Sequence, residues 1–87
     1  MQLPIQFREN YIQRRKDDLE MSLSALSQND FDKLAKIGHQ IKGNARTFGH
    51  EKLAEIAERL EASAIERDTT QVRYLLRLFS SWIIAET

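Results

Sequence analysis

The chain has 87 residues, enough for one domain and too few for two, so residues 1–87 are expected to form a single domain. Thirteen basic and thirteen acidic side chains give a formal net charge of zero. This balance argues against nucleic-acid binding, because phosphate contacts favour proteins with a basic excess. No apolar run approaches the ~20 residues of a membrane span, and no basic segment followed by an apolar one opens the chain. With no cysteine, the sequence fits a cytoplasmic protein.

Apolar residues recur at helical spacing in four segments, roughly 5–27, 30–48, 51–67 and 70–85. Asn29 or Asp30 is suited to cap the second segment, and Asp68 the fourth. Gly49 lies where a helix would end in the left-handed conformation. No stretch alternates with period two. We therefore predict an all-α fold, an antiparallel up-down-up-down four-helix bundle held together by a shared core.

The apolar stripes define which side of each predicted helix faces the core. The first is formed by Phe7, Tyr11, Ile12, Leu19, Leu23 and Leu26, and the second by Phe31, Leu34, Ile37, Ile41, Ala45 and Phe48. At about 100° per residue, His39 lies roughly 140° from the centre of the second stripe, so we predict that it faces solvent. Gly43 and Arg46 share its side, and Lys42 lies on the flank between that side and the core.

Two glycines interrupt the second helix, although each costs about 1 kcal/mol relative to alanine. Gly38 projects toward the stripe, where close approach of another helix explains it. Gly43 lies on the exposed side one turn after His39, where no packing is expected. Its missing side chain clears space beside the imidazole, and Ala35 keeps the other side of the ring low.

An exposed histidine with small neighbours and a nearby cation suits phosphoryl transfer to and from an imidazole nitrogen. A neutral imidazole is a competent nucleophile, and Lys42, with Arg46, can stabilise the phosphoryl charge. His50 is the only other histidine, and no compact set of metal ligands is visible, so we expect neither a metal nor a cofactor on this chain. A glycine-rich nucleotide loop is also missing, so no ATP-dependent kinase activity is expected.

The run His39-Gln40-Ile41-Lys42-Gly43, followed by Phe48-Gly49, Leu53 and Leu60-Glu61, resembles the histidine-containing phosphotransfer (HPt) domain of bacterial phosphorelays. The resemblance implies that His39 is phosphorylated, that Lys42 stabilises the phosphohistidine, and that Gly43 permits approach of the partner. It implies as partner a receiver domain of a response regulator or hybrid kinase. That domain would supply the exchanging aspartate and an acidic pocket holding magnesium.

Positive charge on the first helix is expected near the same site. If that helix folds back antiparallel to the second, residues near Arg14 to Asp18 lie level with His39, and Arg14 and Arg15 add charge at its rim. Arg15 falls within the apolar stripe. Its stem can lie along the bundle edge with the head in water, and a contact of that head with the receiver's acidic surface is the second hypothesis.

Other residues receive structural interpretations. His50 is expected to be solvated in the turn after Gly49, and Phe79 and Trp82 to be core residues. One alternative function is a non-catalytic helical interaction module in which His39 is never phosphorylated. Another is the dimerisation domain of a histidine kinase, which usually has an acidic residue directly after its histidine, where this chain has Gln40. We expect a monomer instead.

Overall fold

Residues 5–87 are described by a computed structural model, and they form four α-helices. These are α1 (Ile5–Ser27), α2 (Phe31–Thr47), α3 (Glu51–Ile65) and α4 (Thr69–Glu86). The predicted bounds differ from these by at most two residues. No strand occurs within this described range, and the predicted all-α class is confirmed.

Cross-helix contacts show that neighbouring helices run antiparallel. Arg8 near the start of α1 donates to Glu86 at the end of α4 (3.1 Å). Tyr11 of α1 donates to Asn44 near the end of α2 (2.7 Å). Each helix packs against its two neighbours, with the most extensive contact between α2 and α3. The result is an elongated bundle of 38 × 19 × 18 Å.

Short polar turns end and restart the helices. The Asp30 carboxylate accepts from the Lys33 amide and caps α2, while the Asp68 carboxylate accepts from the Gln71 amide and caps α4 (3.1 Å each). Gly49 takes φ +79° after α2, as predicted, and Asn29 takes φ +54° in the preceding turn. Asp30 is therefore the cap of α2, which resolves the choice between it and Asn29.

The core is built mainly by α2, α3 and α4. Each of these helices buries an apolar stripe, and the largest fully buried apolar side chains are Leu34, Ile41, Leu53, Leu60, Val72, Leu75 and Phe79. Burying a side chain of this size stabilises the fold by about 1.5–3 kcal/mol. Trp82 is also buried, as predicted. Because the apolar stripe of α2 is buried in this core, the opposite side of α2 faces solvent.

The predicted stripes of α1 and α2 were partly wrong. Phe7 and Leu23 are 60% and 51% exposed. They lie at opposite edges of the predicted stripe of α1, which spans roughly 160° around the helix axis and is wider than the surface that α1 buries against the other helices. Phe48 is 49% exposed because it is the C-cap of α2 and no longer follows the helical phase. Its ring instead contacts the Tyr11 ring edge-on, with centroids 5.4 Å apart.

Candidate functional site

His39 lies in the middle of α2 and faces outward, with its side chain 67% exposed. Its Nδ1 is 2.9 Å from Oε2 of Glu61 on α3. A carboxylate can only accept a hydrogen bond, so this contact assigns the ring proton to Nδ1 and leaves the lone pair on Nε2. The geometry therefore provides an accessible imidazole whose free nitrogen is the one away from the bundle.

Glu61 binds Lys42 as well as His39. Lys42 Nζ donates to Glu61 Oε1 at 2.9 Å, and both side chains are 21% exposed. The hydrogen bond from Lys42 lowers the pKa of Glu61 below its usual range, aided by the charge of Lys42 and by the contact with His39, and opposed by partial burial. An ionised carboxylate thus joins the imidazole to the nearest cation.

Sequence reasoning assigned no role to Glu61, although it noted the residue on the third helix. The offsets among His39, Lys42 and Gly43 can be read from one helix, whereas Glu61 reaches the site only through the packing of α3 on α2. The antiparallel pairing of α2 and α3 was the indication in the sequence that Glu61 could lie near His39. Such pairing predicts roughly which residues of the two helices lie at the same height along the bundle, but it does not predict which of their side chains are in contact.

Gly38 sets the distance between α2 and α3 at this level. A Cβ built on Gly38 would lie 2.9 Å from the backbone nitrogen of Glu61 and 3.0 Å from the carbonyl oxygen of Ala57. Both neighbours are backbone atoms, so no side-chain rearrangement could relieve the contact. The predicted close helix approach is present, and it places Glu61 within reach of His39 and Lys42.

Gly43 and Ala35 border His39 along α2. Gly43 is exposed, and a Cβ added there would meet no atom within 4 Å. Ala35 is half-buried and packs against the edge of the core. Small residues therefore lie one helical turn before and one turn after His39, as predicted from the sequence, and they leave both sides of its ring accessible.

Arg46 lies further along the same face of α2. Its Nη2 is 3.3 Å from Glu58 Oε2 on α3, and both side chains are more than half exposed. An exposed pair of this kind contributes about 0–1 kcal/mol, so an acidic partner could displace Glu58. Arg46 adds a second, weakly held cation to the face that carries His39.

The predicted solvent position of Arg15 was wrong. Arg15 is only 7% exposed. Its Nε donates to Asp18 and its Nη1 to Asn44, both at 2.9 Å, and its guanidinium lies 4.5 Å from the centroid of the Tyr11 ring. Burial raises the pKa of Asp18 and of Tyr11, partly offset by Arg15. Arg15 thus joins α1 to α2, while the neighbouring Arg14 is exposed.

The predicted solvation of His50 was also wrong. His50 is the half-buried N-cap residue of α3, and its backbone carbonyl accepts from Ala54. Its ring packs between those of Tyr11 and Trp82, at centroid distances of 4.8 and 5.3 Å. The aromatic side chains that meet at this end of the bundle give His50 a packing role.

Residues 5–87 contain neither a candidate metal site nor a membrane-spanning helix. No group of three or more histidine, cysteine, aspartate or glutamate residues in this range could hold a metal ion. Nor is any helix in the range long and apolar enough to cross a membrane.

The family model described as Hpt domain matches residues 6–81. This stretch contains His39 and the residues described beside it, Lys42, Gly43 and Glu61. The chain belongs to the Hpt domain family. No curated protein and no solved structure matches it. An Hpt domain has a histidine phosphotransfer role in phosphorelays and interacts with receiver domains of response regulators.

Proposed function

We propose that His39 of this Hpt domain accepts a phosphoryl group from the aspartate of a receiver domain and returns it to such an aspartate. The observation that carries the proposal is the orientation of the imidazole. Nδ1 is occupied by Glu61, and the ring is mostly exposed. Nε2 is therefore the nitrogen available to a partner.

The transfer requires one bond to form and one to break. The Nε2 lone pair attacks phosphorus of the aspartyl phosphate, the N–P bond forms, and the P–O bond to the aspartate breaks to release a carboxylate. No proton has to leave Nε2, because the proton is already on Nδ1. The imidazole gains positive charge during the attack, and the ionised Glu61 beside Nδ1 stabilises that charge. The reverse reaction follows the same steps.

Lys42 is the proposed stabiliser of the transferred group. Its ammonium already lies at the site, held by Glu61 at 2.9 Å, and rotation of its flexible side chain would bring it toward a phosphoryl on Nε2. Arg46 would add charge from the same face. Magnesium is expected in the acidic pocket of the receiver domain and not on this chain.

The docking surface for the receiver is proposed to be the exposed side of α2. Gly43 and Ala35 leave the approach to the ring open, and Arg14 is exposed on α1 near the same level. Arg15 is left out of this surface because its guanidinium is buried between α1 and α2.

A transfer assay with three proteins tests the proposal. Wild type, His39→Gln and His50→Gln are incubated with a panel of receiver domains carrying radioactive aspartyl phosphate. We expect acid-labile, alkali-stable label on wild type and on His50→Gln, and none on His39→Gln. Because His50 is packed between two aromatic rings, the stability of its variant is measured in parallel by thermal unfolding.

The two alternative functions give different results. Absence of label from every receiver, with binding retained, would favour a non-catalytic interaction module. A histidine-kinase dimerisation domain would be dimeric by sedimentation equilibrium, whereas a monomer is expected. Label that persists on His39→Gln would contradict the assignment of His39.

A further inference from the structure

An apolar groove runs between α1 and α4. Its cavity measures about 320 Å³, and its lining side chains are Leu19, Leu23, Leu26, Arg73, Leu76, Arg77 and Ser80. Leu23 is 51% exposed, so part of its apolar side chain is accessible to a ligand in the groove. The groove is open at the surface while its floor is apolar.

The leucines of α1 form a row along the groove. Offsets of four and three place Leu19, Leu23 and Leu26 on one side of the helix, over a length of about 10 Å. Two helical turns of a ligand span the same length. Helices that bind in grooves insert apolar anchors at spacings of three, four and seven residues, so the row matches a helical ligand.

The α4 rim of the groove is basic. Arg73 and Arg77 lie one turn apart and are exposed, and neither is within 4.0 Å of a carboxylate of the described chain. From Thr69 to Ala85, α4 contains no acidic residue. Two unneutralised guanidinium groups at the edge of an apolar groove favour a ligand with acidic side chains on that edge.

This charge pattern also disfavours a second copy of the chain. In a symmetric dimer, each subunit uses the same surface. Pairing two grooves with α4 against α4 would bring Arg73 and Arg77 of both copies together, and like charges in an interface oppose association. Pairing them with α4 against α1 would place these guanidinium groups against the leucine row and leave them without an acidic partner there. A heterologous ligand avoids that repulsion.

We propose that this groove binds an amphipathic helix of another protein. The helix would place leucine-like anchors on the row of α1 and glutamate or aspartate side chains beside Arg73 and Arg77. The inference does not depend on the proposed function. Since α4 packs against α1 and α3 and not against α2, a helix bound there leaves His39 on α2 accessible. The groove would hold a partner near the protein while His39 remains free to react.

Two synthetic helical peptides test the groove. Both carry leucines at positions i, i+4 and i+7, and one carries glutamates along the adjacent edge where the other carries lysines. Each is titrated into the ¹⁵N-labelled full chain while the amide spectrum is followed. We expect the glutamate peptide to shift amides of residues 19–26 and 73–80, and the lysine peptide to bind at least about ten-fold more weakly.

Charge reversal provides the matched variants. The double variant Arg73→Glu/Arg77→Glu should weaken the glutamate peptide about ten-fold or more and strengthen the lysine peptide. Lys52→Glu on α3, exposed and remote from the groove, should change neither affinity. Circular dichroism and thermal unfolding establish that each variant is folded.

Four outcomes would overturn the proposal. These are equal affinity for the two peptides, amide shifts outside the groove, saturation of the groove by anionic phosphatidylglycerol vesicles in preference to the glutamate peptide, and a dimer that uses this face. Exchange of peptide preference in the double variant, with amide shifts confined to the groove, supports it, because an unfolded variant would lose both peptides and a nonspecific contact would shift amides elsewhere.

Discussion

Glu61 is the residue on which the proposed chemistry of the site depends. Its two oxygens bind His39 Nδ1 and Lys42 Nζ at the same distance, 2.9 Å. One oxygen orients the proposed nucleophile, and the other holds the cation that would neutralise the transferred group. The same carboxylate therefore sets the ring tautomer and keeps Lys42 close before any phosphoryl group arrives.

Lys42→Met is expected to raise the pKa of Glu61, because the hydrogen bond from Lys42 is the largest cause of its lowering. A lowered carboxyl pKa stabilises the folded state above the ordinary glutamate pKa. That stabilisation is lost as the pH falls through the lowered pKa. The wild type should therefore lose more stability than Lys42→Met on acidification.

Carboxyl ¹³C NMR titration measures the pKa, and urea unfolding at about pH 7 and about pH 3 measures the stability. Because Lys42 and Glu61 are both only 21% exposed, Lys42→Met should have a measurably lower free energy of unfolding than the wild type at about pH 7. This difference should become smaller at about pH 3. An unchanged Glu61 pKa in Lys42→Met would show that the hydrogen bond is not what lowers it.

Gly43 offers a separate test of why the exposed side of α2 contains glycine. Gly43→Ala should raise the free energy of unfolding by about 0.5–1 kcal/mol, because a Cβ meets nothing within 4 Å and alanine favours the helix.

Gly43→Gln should remain folded but slow phosphotransfer from a receiver by about ten-fold or more, since its side chain would stand beside the His39 ring. Denaturant unfolding and single-turnover transfer rates check the two parts. Transfer at the wild-type rate in Gly43→Gln would contradict a docking role.

At the scale of helices, the contact between α2 and α3 positions the site. Gly38 allows the two backbones to approach, and the atoms closest to its absent Cβ belong to Glu61 and Ala57. Any widening of this contact would move Glu61 away from His39 and Lys42. Helix packing and site geometry are therefore coupled through one buried glycine.

Gly38→Ala is expected to lower the free energy of unfolding by about 1–2 kcal/mol, since overpacking against backbone atoms outweighs the gain in helix propensity. It should also lengthen the Nδ1 contact of His39 with Glu61, visible as a changed imidazole ¹⁵N spectrum. Gly43→Ala is the matched control, because it makes the same substitution in the same helix at an open position. If the two variants shifted stability in the same direction, the close approach at Gly38 would not be the limiting contact.

How much could be predicted differs from helix to helix. The phase of α2 was readable from its stripe, because the buried Leu34, Ile41 and Ala45 define one clear side. The stripe of α1 is wide. The ion pair of Arg15 with Asp18 has a spacing of three that α1 alone could indicate, but the hydrogen bond from Arg15 to the amide oxygen of Asn44 on α2, which helps to hold the guanidinium inside, could not be read from it. Side chains of separate helices decide such positions, and their pairing is not encoded in the spacing along one helix.

At the scale of the molecule, the zero net charge conceals an uneven surface. The exposed side of α2 carries the imidazole and Arg46, whereas α4 carries Arg73 and Arg77 without an acidic residue until Glu86. The bundle places these two faces on helices that do not pack against each other. One chain of 87 residues would therefore separate the proposed phosphotransfer surface on α2 from the proposed binding groove between α1 and α4.

The most direct test of the proposal that His39 reacts through Nε2 is to locate the phosphoryl group on the intact protein. The chain, ¹⁵N-labelled at its histidine rings, is phosphorylated by a receiver domain and studied by ¹H–¹⁵N and ³¹P NMR. We expect one phosphorus bonded to Nε2 of His39, with Nδ1 still protonated beside Glu61 and the His50 resonances free of phosphorus coupling. Phosphorus on Nδ1 of His39, or on His50, would contradict the account.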